Sequence, residues 1–100
     1  MSAETIRDAL DRALDAYAAL AELGEGIEEE WSYVNDLTDA WRSRCDEVIA
    51  RHGDDDVSDE TSAAIDRAID EIERIEDPHR AIDWLSTFPQ IVLLAVGARP

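Results

Sequence analysis

Ile6-Arg7-Asp8-Ala9-Leu10-Asp11-Arg12-Ala13-Leu14-Asp15-Ala16-Tyr17-Ala18-Ala19-Leu20 places apolar side chains at 6, 10, 13, 17 and 20, in alternating steps of four and three. That spacing lines one stripe of an α-helix and makes the seam of a helical bundle; a strand would alternate every second residue. Asp8, Asp11, Asp15 and Glu22 fall in a narrow wedge almost opposite the seam, where a helix meets water. The helix is expected to run from about Ala3, capped by Ser2, to Leu23, with Gly24 as its stop.

Outward from this stretch the same period returns. A second helix is expected from about Ile27 to Arg51 or His52, ended by Gly53. Its seam is Ile27, Trp31, Val34, Trp41, Cys45 and Val48, with Thr38 at the one polar position. The turn at Gly24-Glu25-Gly26 is short, so the two helices should lie antiparallel. After the linker Asp54-Asp55-Asp56-Val57, a third helix is expected from Ser58 or Asp59 to Glu76. Ala64, Ile65, Ala68, Ile69, Ile72 and Ile75 share one of its faces, flanked by a stripe of Asp59, Asp66, Asp70 and Glu73. Asp77-Pro78 reads as the cap and first residue of a new helix or as a kink in a continuing one. Ser86-Thr87-Phe88-Pro89 is expected to break this fourth segment, leaving a short last helix from Gln90 to Val96. The fold class is all-α: one domain, a small antiparallel bundle of three long helices plus a short, broken C-terminal helical segment.

Composition limits what such a bundle can do. Asp and Glu number 25 against 9 arginines and no lysine, for a net charge of −16 over 100 residues, spread almost evenly between the two halves. Nucleic-acid and anionic-membrane binding rest on cations neutralising phosphates, so direct contact with either is not expected. Two readings of the acidity remain: a surface suited to high salt, or one that attracts a basic partner. The single cysteine excludes an internal disulfide and fits a reducing compartment. With no secretory leader pattern and no apolar run near the ~20 residues of a membrane helix, a cytoplasmic location is expected.

No chemistry-bearing constellation emerges. Asp54, Asp56 and Ser58 could fill positions one, three and five of an EF-hand loop. Asp59 stands where that loop needs glycine, however, and Ile65 where it needs a bidentate glutamate. His52, His79 and Cys45 lack zinc-site spacing, and Cys45 sits in the seam as a buried structural thiol. The Arg74 to His79 spacing is similar to that of helical ribonucleases of the HEPN type, but Ile75 replaces the polar residue that follows their arginine. Glu73-x-x-Glu76 resembles half of the paired motif of MazG-type pyrophosphatases, with no second half at helical spacing. Neither match carries residues over. No cofactor, metal or catalytic residue is assigned, and an enzyme is not expected.

The unusual segment is C-terminal. Between Ala81 and Ala98 the only charge is Asp83, and Phe88, Ile91, Val92, Leu93, Leu94 and Val96 surround their helix with apolar surface. Such a helix must be covered, by its own bundle or by another molecule. The leading expectation is therefore a non-enzymatic interaction protein, an adaptor or homodimer, meeting a protein partner or itself through Trp84, Phe88, Ile91 and Leu94. The second is an acidic inhibitor, a nucleic-acid mimic or antitoxin-like protein, whose Asp8, Asp11, Asp15 and Glu22 stripe fills a basic groove. Mimicry would gather carboxylates on one face, and salt adaptation would scatter them.

Overall fold

Thr5 decides where the first helix begins. In the computed structural model, which describes residues 4–97, its extended backbone pairs with Asp56 in an antiparallel bridge, and its side chain accepts from the Asp8 amide. The helix, α1, is Ile6–Glu25. Its expected cap, Ser2, lies outside the described residues, and Thr5 performs that role. The linker supplies the rest of the cap: the Ile6 and Arg7 amides donate to the carbonyls of Asp55 and Gly53, and the Val57 amide donates back to Glu4. These bonds satisfy amides that a helix start otherwise leaves without partners.

α1 passes through its expected stop. Gly24 is buried within the helix, and Gly26 caps it by donating to Leu23. A Cβ at Gly24 would stand 3.3 Å from Ile82 and 3.4 Å from Leu85 and Val34, so this glycine allows three helices to approach closely. One turn of 3₁₀ helix, Glu28–Glu30, then precedes α2, Trp31–His52. α2 thus starts later than the expected Ile27, because this first turn is tightened into i to i+3 bonds. Trp31 consequently stands at the helix entrance, 55% exposed rather than in the seam.

α3, Asp59–Glu73, is capped by the Ser58 hydroxyl, and α4, Pro78–Ala95, by the Asp77 carboxylate with Pro78 in its first turn. The third helix ends at Glu73, short of the expected Glu76, with Arg74 as its C-cap and the Ile75 amide donating to the Ile72 carbonyl; Asp77, before proline, is extended.

The largest departure from the sequence reading lies in α4, which is continuous. Pro89 lacks the amide proton that would bond the Leu85 carbonyl four residues back. The Tyr17 hydroxyl, reaching from α1, donates to that same carbonyl at 3.0 Å. The carbonyl stays satisfied in the core, and the helix runs on.

α1 packs against α2, α3 and α4, and α4 likewise against the other three, whereas α2 and α3 do not touch. Gly24 near the end of α1 meets Val34 near the start of α2 and Ile82 near the start of α4, so both neighbours run antiparallel to α1. Thr61 near the start of α3 donates to Ala95 at the end of α4, which makes these two antiparallel as well. The core follows the heptad reading: Ile6, Leu10, Ala13, Tyr17 and Leu20 of α1, then Val34, Trp41, Cys45 and Val48 of α2. Ile65, Ala68 and Ile72 come from α3, and Ala81, Leu85, Phe88, Val92 and Leu93 from α4. Tyr17 sits at its centre, with its ring 6.1 Å from that of Trp41 and 6.4 Å from that of Phe88. Among the described residues no helix is long and apolar enough to cross a membrane.

Candidate functional site

Each helix turns its polar residues outward, and the outward faces differ in charge. Asp8, Asp11, Asp15 and Glu22 are all exposed along α1, as the wheel requires. Exposed carboxylates also lie on α2 (Asp36, Asp39, Asp46, Glu47), interleaved there with exposed Arg42 and Arg51, and on α3 (Asp59, Glu60, Asp66, Asp70, Glu71, Glu73), beside exposed Arg67. α4 breaks the pattern. Its outward residues are His79, Arg80, Asp83, Ser86, Thr87, Gln90 and Leu94, and the charges of Arg80 and Asp83 cancel.

The four residues expected to form a partner surface separate on α4. Phe88 is fully buried against Tyr17 and cannot anchor a partner in the folded chain; the heptad places it inward, a position that the assumed break at Pro89 concealed. Trp84 and Ile91 are half-buried against the core, and Leu94 is 70% exposed. Val92 and Leu93 are also buried, so the bundle itself covers most of the segment that the sequence presents as apolar all round. What stays open is a narrow, uncharged stripe with one exposed leucine.

A shallow groove between α1 and α2 is lined by Asp11, Asp15, Asp46 and Arg42 above Leu14 and Ala18. At the start of α1, a cleft of about 310 Å³ lies between the ends of α2 and α4, over Ile6, Val48 and Val96. Around this cleft Arg44 pairs with Glu47 at 3.0 Å and His52 Nδ1 lies 3.2 Å from an Asp55 carboxylate oxygen, and exposed Arg51 also lines it. Among the described residues no three His, Cys, Asp or Glu side chains are grouped to hold a metal ion. Arg74 and His79 are both exposed, and so are Glu73 and Glu76.

A clasp joins α1 to α3. Arg12 forms a two-bond fork with Glu4, at 2.7 and 2.8 Å, and also pairs with Asp66, while Ser62 donates to Glu4 at 2.9 Å. The guanidinium hydrogen bonds hold the Glu4 carboxyl below its ordinary range, and Glu4 in turn raises Arg12. Sequence reading missed the clasp because its members lie 8, 54 and 58 residues apart. Within the core, burial pushes the Cys45 thiol up to about 12, so almost none of it is thiolate near neutrality. Burial likewise pushes the Tyr17 phenol up to about 12, which leaves it protonated and able to donate to Leu85. Compared with known protein families, curated proteins and solved structures, the chain matches none.

Proposed function

We propose that this protein is a non-enzymatic interaction module that meets a partner, in the simplest case a second copy, through the outward face of α4. The observation that carries this reading is the contrast in charge. Three helices present carboxylates outward, and α4 presents an uncharged stripe of Ser86, Thr87 and Gln90 beside exposed Leu94, with Trp84 and Ile91 at its margin. Two copies each carrying −16 could approach at this face with the least electrostatic cost. With one exposed leucine on this face, the association would be weak and would need screening salt. Sedimentation of the parent and of Leu94→Glu in molar KCl is the test. A concentration-dependent dimer lost in the variant supports the reading, and a parent monomeric throughout would end it.

A second reading is favoured by one arrangement, the exposed Asp8, Asp11, Asp15 and Glu22 of α1, of which Asp11 and Asp15 share a groove with Asp46 and Arg42. It would serve an acidic inhibitor of a basic protein. Lysine at Asp8, Asp11 and Asp15 should abolish capture of such a partner and leave helicity intact. Against this, carboxylates occur on α2 and α3 as well, the scattering expected of a salt-adapted surface.

A further inference from the structure

We propose that α4 is a hinged helix, with Pro89 as the joint and the Tyr17 phenol as the latch that holds the joint closed. An unbroken helix is continuous because each amide bonds the carbonyl four residues back, and Pro89 removes one such bond. The carbonyl it leaves, Leu85, lies in the fully buried core, where an unpaired acceptor is costly. Its replacement donor comes from another helix: Tyr17 on α1, 68 residues away in sequence. The continuity of α4 through Pro89 is therefore supported from outside α4.

The turn before the joint is also altered. The hydroxyls of Ser86 and Thr87 both bond the Asp83 carbonyl, the back-bonding that bends helices. Beyond the joint, the half from Pro89 to Ala95 carries no charge, and no ion pair among the described residues ties Arg80 or Asp83 to another helix. This half is fixed to the bundle by the burial of Val92 and Leu93, by the packing of Ile91, Ala95 and Val96 against the core, and by the bond from the Thr61 hydroxyl to the Ala95 carbonyl, with no ion pair among the described residues. α1, by contrast, is fastened by the Arg12 clasp and by backbone bonds to the linker. The distal half of α4 is thus the segment that opens first, and Tyr17 sets how often. Opening uncovers Val92 and Leu93 beside Leu94, a larger apolar face than the closed helix offers. This device does not depend on whether the closed face meets a partner.

Native-state amide exchange of the full chain, followed residue by residue, tests it in the parent, Tyr17→Phe, Pro89→Ala and the double variant. Tyr17→Phe should speed exchange at residues 90–96 by about tenfold relative to residues 79–85, the factor that loss of one buried hydrogen bond supplies. Pro89→Ala restores an amide donor to Leu85, so it should slow exchange at 90–96 and make the tyrosine hydroxyl dispensable there. The proposal is overturned if Tyr17→Phe speeds all four helices alike, if it leaves 90–96 unchanged, or if it has the same effect with alanine at 89.

Discussion

Replacing Trp41 tests the core at a buried side chain whose donor has no partner among the described residues. The side chain is 2% exposed and its ring lies 6.1 Å from that of Tyr17, tilted by 45°. Truncation to alanine removes the indole and leaves a cavity that helices pinned by Gly24 and the Arg12 clasp cannot fully close. The expected cost is about 3–5 kcal/mol. A domain of this size has only about 5–15 kcal/mol in total. The indole nitrogen has a liability of its own, since Nε1 is buried without a hydrogen-bond partner. An unmet donor of this kind costs about 1–3 kcal/mol. Trp41→Phe removes that donor and keeps a ring against Tyr17, so it should lose less than half of what the alanine variant loses. Urea unfolding followed by far-ultraviolet circular dichroism reads both. With a slope of about 1–3 kcal/mol per molar, the alanine variant should lose roughly 2 M of midpoint and the phenylalanine variant well under 1 M. Trp31→Ala, at a 55% exposed position, should leave the midpoint almost unchanged. An alanine variant within 1 kcal/mol of the parent would refute the placement of Trp41. A phenylalanine variant as damaged as the alanine one would refute the argument about Nε1.

Thermal stability should rise between 10 mM and 1 M KCl as the screening length falls from about 30 to 3 Å, and a flat melting temperature would show that self-repulsion is negligible here. Glu4 is held below its ordinary value near 4.5, so the stability it contributes is present above that pH and lost as the carboxyl protonates below it. The gap in urea midpoint between the parent and Glu4→Gln should therefore be open at pH 6 and close on acidification; a gap that is constant with pH would contradict the clasp. Cys45 should resist a thiol reagent at pH 8 in the native protein and react promptly in urea, and prompt native labelling would show that its burial is wrong.

The periodic seams were legible because burial on a helix has a period that one chain displays: Leu10, Tyr17, Val48 and Ile65 all stand where heptad spacing puts them. The exposed stripe on α1 was legible for the same reason. Illegible features involve partners distant in sequence. The break expected at Pro89 was sound local chemistry, overruled by a tyrosine on another helix that no local rule can see. Phe88 was misassigned as a direct result, because a broken helix has no heptad register to place it inward. Gly24 reads locally as a stop signal, yet its use depends on Ile82 and Leu85, which belong to α4. The clasp of Glu4, Arg12, Ser62 and Asp66 needs α1 and α3 side by side, a fact of topology.

The stitched linker determines where this chain can be cut or enlarged. Composition marks Asp54-Asp55-Asp56 as the expendable stretch, acidic and exposed, the kind of loop that proteases nick and insertions enter. Yet the carbonyls of Gly53 and Asp55 receive the first amides of α1, and Asp56 pairs with Thr5. Extra residues here would pull acceptors away from a helix that precedes them by fifty positions, so the damage would surface in α1. The turn around exposed Gly26 holds no such long-range bonds and is where a tag or a grafted loop should be accommodated with the helices undisturbed.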